Sequence, residues 1–384
     1  MRTLRSAGIL VLALAAAVSA AGGAAAAQPR PSPVVGHVYV NDNTAPVNTV
    51  AGFDRHADGT LTPIPGSPFA VGGTGAGKAT ASQGSLQLSA DGRYLLAVDT
   101  GSNEISVLRI KPDGSLQIAG DGPVSSNGLD PVSIAVSGSL VYVANADPVD
   151  PNYTGFTLNS GGHLRPIPGS TVSLPAGSQP GDVLFNGDGT KLVGARVATS
   201  LVDSFTVGSD GLLTAASGSP FPAQGAGPFG SEFSPTNPAQ LFVSNAHDGP
   251  GNGTVSAFSV GTDGTLTSIG TSPFPDLQTA PCWVEISHDG HYLFAVNTAV
   301  STVSRYSIAA DGTLTLLGST TLNNPTGRVP EDARLSPDSS TLWIVDAGAN
   351  AVSGFSVDGG SLTELPSSPT PGPAGATPSG IVVT

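Results

Sequence analysis

From Gly36 onward the chain alternates short apolar runs with polar breaks rich in glycine and proline, and one phrase recurs about every 49 residues. The phrase has four parts: a proline-led apolar run, a polar turn, a run ending in Val and then Asn or Asp, and an alternating run that leads into an Asp-Gly-x-Leu hairpin. Pro281–Ser287 (PCWVEIS), His288-Asp289-Gly290, Tyr292–Asn297 (YLFAVN), Thr302–Ile308 (TVSRYSI) and Asp311–Leu314 (DGTL) show it whole. Short apolar or alternating runs bounded by such breaks predict strands, and Asp-Gly between two of them predicts a hairpin, because glycine takes a positive φ at no steric cost. The hairpin leucine recurs at Leu61, Leu116, Leu164, Leu213, Leu266, Leu314 and Leu362. The leading proline recurs at Pro131, Pro180, Pro228, Pro281, Pro330 and Pro378, while the second repeat has Gln83 in its place.

Seven hairpins predict an all-β, closed seven-bladed β-propeller with four antiparallel strands per blade. The first blade is the exception in chain order. Gly36-His37-Val38-Tyr39-Val40 matches the second strand of the phrase, and Ile381-Val382-Val383-Thr384 matches the first. Blade one is therefore expected to be closed by the N- and C-terminal strands together, which leaves no open sheet edge. The expected blades are 36–77 with 376–384, then 80–128, 130–178, 179–227, 228–279, 280–327 and 328–375. An open solenoid would need polar capping repeats, and neither end has one.

Residues 1–27 follow a different pattern. Arg2 and Arg5 precede an apolar stretch from Ile9 to Ala17, and Ala-x-Ala spacing ends at Ala27, with Ser19–Ala20 as a second cleavage site that the pattern allows, the layout of a signal peptide. A membrane anchor would need a longer apolar run. Residues 28–35 read as a flexible leader and 36–384 as the propeller. These features predict an exported protein, extracellular or in the cell envelope, with no membrane span. The formal charge is −14, with only 14 Lys and Arg, scattered along the chain. That argues against nucleic acid as a partner, since phosphate binding needs clustered basic residues. The single cysteine, Cys282, excludes an intrachain disulfide.

The phrases at 88–110 (LSADGRYLLAVDTGSNEISVLRI) and 335–357 (LSPDSSTLWIVDAGANAVSGFSV) resemble the lactonase-like seven-bladed propellers, the 6-phosphogluconolactonase and carboxymuconate-cyclase relatives, which also resemble YVTN-type repeats. The segments at 58–69 and 210–221 look like those of exported bacterial members. The resemblance spans 36–384 and implies a lactonase-like hydrolase. It also implies a Gly-Pro-Arg-His motif on an inner strand and an Asn-Glu after the next strand. The matching segments here read Gly227-Pro228-Phe229-Gly230 and Asn245-Ala246, so the Arg, His and Glu are replaced.

Aligned leading strands give one unusual column: Gln87, Ala135, Leu184, Glu232, Glu285, Arg334 and Val382. Charges on an inner strand are costly unless paired or wetted by a channel. Two close carboxyls can divide their protonation, and an arginine beside them can hold an anion or an oxyanion; a structural ion-pair network uses the same residues. The column two places earlier contains Asp182 and Asp332, expected to make local turn bonds. The strand-end column is Asp42, Asp99, Asn145, Arg196, Asn245, Asn297 and Asp346. Its oxygens suit Asx turns, or else Ca²⁺, the one metal that the pattern admits; no cofactor is required. Arg196 interrupts that column and is a candidate ligand contact. His247 lies in a strand-end loop on the face expected to carry the site and is a candidate general base. His288 and His291 flank a turn on the opposite face. Cys282 reads as a buried, inert thiol.

The candidate catalytic set is thus Glu232, Glu285, Arg334, Arg196 and His247. In one reading a carboxylate or His247 activates water for hydrolysis of a small lactone at the channel mouth. In the alternative, a non-catalytic propeller binds a small molecule or a protein there. The chain is expected to be a monomer.

Overall fold

The computed structural model describes residues 32–80 and 82–384. The expected signal peptide lies outside the described residues, as does residues 28–31 of the expected leader. The first strand, Val34–Asn41, begins two residues earlier than Gly36.

Seven sheets form the blades. The inner strands are Gly380–Val383 (blade 1), Leu86–Leu88 (2), Pro131–Ser137 (3), Pro180–Phe185 (4), Pro228–Phe233 (5), Pro281–Ile286 (6) and Pro330–Leu335 (7). Each is followed outward by three more antiparallel strands. In blade 1 the inner strand comes from the C-terminal segment: Tyr39 pairs with Val382 and Val40 with Ile381. Almost the whole ring is β, with one short 3-10 turn at Val197–Thr199. No helix among the described residues is long and apolar enough to cross a membrane.

The hairpins explain why Asp-Gly recurs. At Asp58, Asp113, Asp210, Asp263 and Asp311 the carboxylate accepts a bond from the backbone N–H two residues on, at 3.0–3.1 Å. The following glycine takes φ between 76° and 85°. Beyond the fourth strand, six blades add a two-residue fifth strand that pairs back to the third. In blade 6 the two merge into Leu314–Thr321, broken by a register shift opposite Arg305 and Tyr306.

Both faces of each sheet are covered by neighbours, so the strands are apolar on both sides rather than on one. Seven hydrophobic clusters result; six span one seam each, and the one between blades 6 and 7 also takes in Val197, Phe229 and Ala246 of blades 4 and 5. The seam between blades 7 and 1 is filled by Trp343, Val345 and Val352 against Val38, Val40 and Ile381. Ile381 is wholly buried. Replacing it by alanine should cost about 2–4 kcal/mol, as for other buried aliphatic truncations. Deleting residues 376–384 removes the inner strand of blade 1, and should lower the melting temperature by more than Ile381→Ala does. A truncated protein that melts like the full chain would show that the strand does not hold the ring.

Candidate functional site

The inner strands run from a face where the leading prolines lie, here the proline face, to a face where they turn into the second strands, the turn face. Between them the channel is not open along its length. Blade 2 has a short inner strand because residues 82–85 leave the sheet and cross the axis. Trp283 Nε1 donates to Ser82 O at 2.7 Å. Gln83 N donates to Gly181 O at 3.0 Å. The Gln83 amide donates to Ser231 O (3.1 Å) and Val284 O (3.4 Å), and accepts from Val284 N (3.2 Å). Gly84 N donates to Asp332 Oδ2 at 3.3 Å, and Gly84 O accepts from Ile134 N at 3.0 Å. Ser85 Oγ meets Ser379 Oγ at 3.0 Å. Four residues of blade 2 are thereby bonded to all six other blades.

The absent proline of blade 2 is explained here: Gln83 uses the N–H that proline lacks, and its side chain needs a neighbour without a Cβ. Gly230 supplies it, since a Cβ there would stand 2.0 Å from Gln83 Oε1. Phe229 packs edge-to-face on Trp283 at 5.1 Å, and both join Ala246 and Val197 in one cluster. The positions at which the lactonase resemblance implies Arg, His and Glu are thus occupied by Phe229, Gly230 and Ala246, in an apolar cluster beneath the Ser82–Gln83 segment.

The charged column lies on the turn-face side of that segment. Glu285 Oε2 accepts from Arg334 Nη1 at 3.2 Å, and Glu285 Oε1 accepts from Leu335 N at 2.9 Å. Arg334 Nη1 also reaches Ala333 O (2.8 Å) and Asp332 Oδ1 (3.4 Å). Asp182 accepts from Ser133 Oγ at 3.3 Å, from Ser231 N at 2.9 Å and from Ser231 Oγ. Glu232 is half-buried and, among the described residues, has no hydrogen-bond partner for its carboxyl. Four carboxyls therefore surround one guanidinium. Burial raises Glu232 well above the carboxylate range, and the nearby charge of Glu285 adds to it. Burial likewise raises Glu285 and Asp332, against the pull of Arg334. It pushes Asp182 up to about 7. Burial alone would lower Arg334, but Asp332 and Glu285 outweigh it and hold the guanidinium above its usual value.

A cavity of about 360 Å³ adjoins this cluster, lined by Gln87, Glu285, Arg334, His288, Pro337 and Val382 among others. It opens beside His288, whose Nδ1 lies 3.2 Å from Pro337 O. His288 was expected on the face away from the site. The cavity lies on the turn face, so His288 stands at its mouth.

Of the five candidates, the structure brings together Glu232, Glu285 and Arg334. Arg196 is held within blade 4, with Nε and Nη2 on Asp203 at 2.6 and 2.5 Å, and Asp203 also accepts from Tyr153 Oη at 3.0 Å. Both residues are buried, so Arg196 does not line the channel. His247 is exposed on the proline face, its ring over Gly227. Glu232 lies five residues further along that strand, roughly 16 Å at strand rise. Asp182 joins the cluster by bonding the next blade, not through a local turn. The strand-end column bonds within its blade or to the blade before: Asn245 Nδ2 donates to Thr254 Oγ1 and Ser256 Oγ, Asn297 Nδ2 to Thr302 Oγ1 and Ser304 Oγ, and Asp99 accepts from Ser106 of its own blade and Asn48 of blade 1. Asp346 pairs with Arg328. Among the described residues no group of three or more His, Cys, Asp or Glu is arranged to hold a metal ion. Burial pushes the Cys282 thiol up to about 12, as expected of an inert cysteine.

Residues 232–378 match the family model of the lactonase seven-bladed β-propellers. The chain folds as a seven-bladed β-propeller, and the stretch 232–378 is similar to that family. Solved structures with this fold include a candidate 6-phosphogluconolactonase of Bacteroides uniformis, with 20% identity, 91% of this chain and 99% of that one covered, and a TM-score of 0.73. A second from Bacteroides fragilis has 21% identity, 93% and 100% coverage and a TM-score of 0.72. The periplasmic gluconolactonase of Pseudomonas aeruginosa has 17% identity, 91% and 99% coverage and a TM-score of 0.69. None of the curated proteins matches the chain in sequence.

The raised carboxyls of this propeller set a direction for its stability with pH. The folded protein holds the Asp182 proton more tightly than the unfolded chain does. Its contribution is therefore full below the unfolded value of 3.8 and falls as pH rises to about 7. Asp182→Asn keeps acceptor and donor atoms for Ser231 and Ser133 but carries no charge. Urea unfolding at about pH 5 and about pH 8 should show a smaller loss of stability with rising pH in the variant than in the parent. An equal or larger loss would mean that Asp182 is ionised in the folded ring.

Proposed function

We propose that this propeller is an exported binding protein for a small hydroxylated lactone or the corresponding sugar acid, taken up in the channel cavity on the turn face. One observation carries the reading. Arg334 Nη1 makes all the guanidinium's protein contacts, so its Nε and Nη2 edge is left for a carbonyl or carboxylate oxygen beside the unpartnered carboxyl of Glu232. A guanidinium edge suits a planar carboxylate, and carboxyls suit ligand hydroxyls as donors or acceptors.

Binding is favoured over hydrolysis by the protonation and bonding of the same residues. A general base must be ionised and free to reach water. Burial and the neighbouring Glu285 raise Glu232 well above its ordinary value, which favours the protonated, donating form over an ionised base. Glu285 has both oxygens committed, to Arg334 and to Leu335 N. The family's Arg, His and Glu positions are apolar or occupied by Gln83. Export is supported by the residue pattern of 1–27, and the gluconolactonase of Pseudomonas aeruginosa with this fold is described as periplasmic.

Calorimetry with sodium gluconate should give saturable binding to the parent. Arg334→Lys keeps the charge but loses the planar edge and should weaken binding at least tenfold, about 1.4 kcal/mol. A panel of five- and six-membered lactones should open no faster than without protein. Saturable turnover that disappears in Glu232→Gln would instead establish a hydrolase, and failure to bind gluconate in the millimolar range would remove the sugar-acid reading.

A further inference from the structure

We infer that the Ser82–Ser85 segment is a fixed internal plug that seals the channel from the proline face, so that the cavity beside Arg334 is a blind pocket reached only past His288. The inference concerns the channel site proposed above, and extends that reading by assigning its floor and its way in.

The bonds that place the segment on the axis also make it a barrier. Ser82, Gln83 and Ser85 are almost wholly buried. The Gln83 amide lies in the space left by Gly230, and Trp283 closes over Ser82 through its indole N–H. Gln83 N, Gly84 N and Gly84 O each find a partner on another blade, which ties the segment's backbone across the axis. On the turn-face side the segment rests against the pocket. A Cβ on Gly84 would stand 2.8 Å from Gln87 Nε2, and Gln87 lines the cavity. Gly84 N bonds Asp332, and Asp332 bonds Arg334, so the plug also positions the guanidinium. The positive φ of Gly84, 79°, turns the chain at this point. The pocket is about 360 Å³, and the segment backs its Gln87 wall. The mouth carries His288 and Pro337, from the turns of blades 6 and 7.

Cysteine labelling tests this without any ligand. In a Cys282→Ser background, Gln87→Cys puts the only thiol of the chain in the pocket wall. A small charged methanethiosulfonate reagent should label it readily. His288→Trp, on an exposed turn, should slow labelling at least tenfold, and His247→Trp at the proline face should leave the rate unchanged. Adding Gln83→Ala to the His288→Trp protein should restore fast labelling through the opened proline face, with a cooperative melt confirming the fold. If Gln83→Ala does not fold, the two tryptophan variants still decide the matter. Labelling slowed by His247→Trp, or indifferent to His288→Trp, would overturn the inference. Loss of gluconate binding with the labelling pattern intact would overturn the ligand reading and leave the plug.

Discussion

The ring is organised about the axial bonds of residues 82–85. In a propeller the blades touch mainly along their seams, through apolar packing that has no direction of its own. Here one short segment adds directional bonds from blade 2 to each of the other six. Buried amide bonds cost most when one partner is removed, so each blade is held in register by the need to keep that network paired. The Gln83 side chain joins blades 5 and 6, across the ring from its own.

That constraint also shapes the electrostatics. Asp332 is tied at once to Gly84 N, to Ala333 N and to Arg334, so the axial segment and the charged column form one network. Four carboxyls about a single guanidinium cannot all be ionised at modest cost in a poorly solvated channel. Burial therefore shifts these carboxyls towards their protonated forms relative to an open surface.

The fold was legible because its signals are local and repeated. Seven Asp-Gly or Gly-Gly hairpins and six leading prolines mark strand ends by backbone chemistry that does not depend on distant contacts. The column of Glu232, Glu285 and Arg334 was legible for the same reason, since strand periodicity puts equivalent positions at one level of the channel. Arg196 was misleading because its partner Asp203 lies across a strand pair in the same blade, and nothing in the linear pattern tells a ligand-facing arginine from a bonded one. The axial segment was not legible either: it is visible in sequence only as the one gap in the proline column, at Gln83.

That gap and the departures from the lactonase pattern are one structural event. A side chain at position 230 would collide with Gln83 Oε1, so an axial glutamine and a histidine on that strand exclude each other. With Gly230 in place, Phe229 and Ala246 can close over Trp283 as apolar packing, and the polar work of the channel shifts two positions along the inner strands, to Glu232, Glu285 and Arg334. The replaced family residues are thus not scattered losses. Position 230 must lack a Cβ once a glutamine from blade 2 occupies the axis, and Phe229 and Ala246 pack beside it.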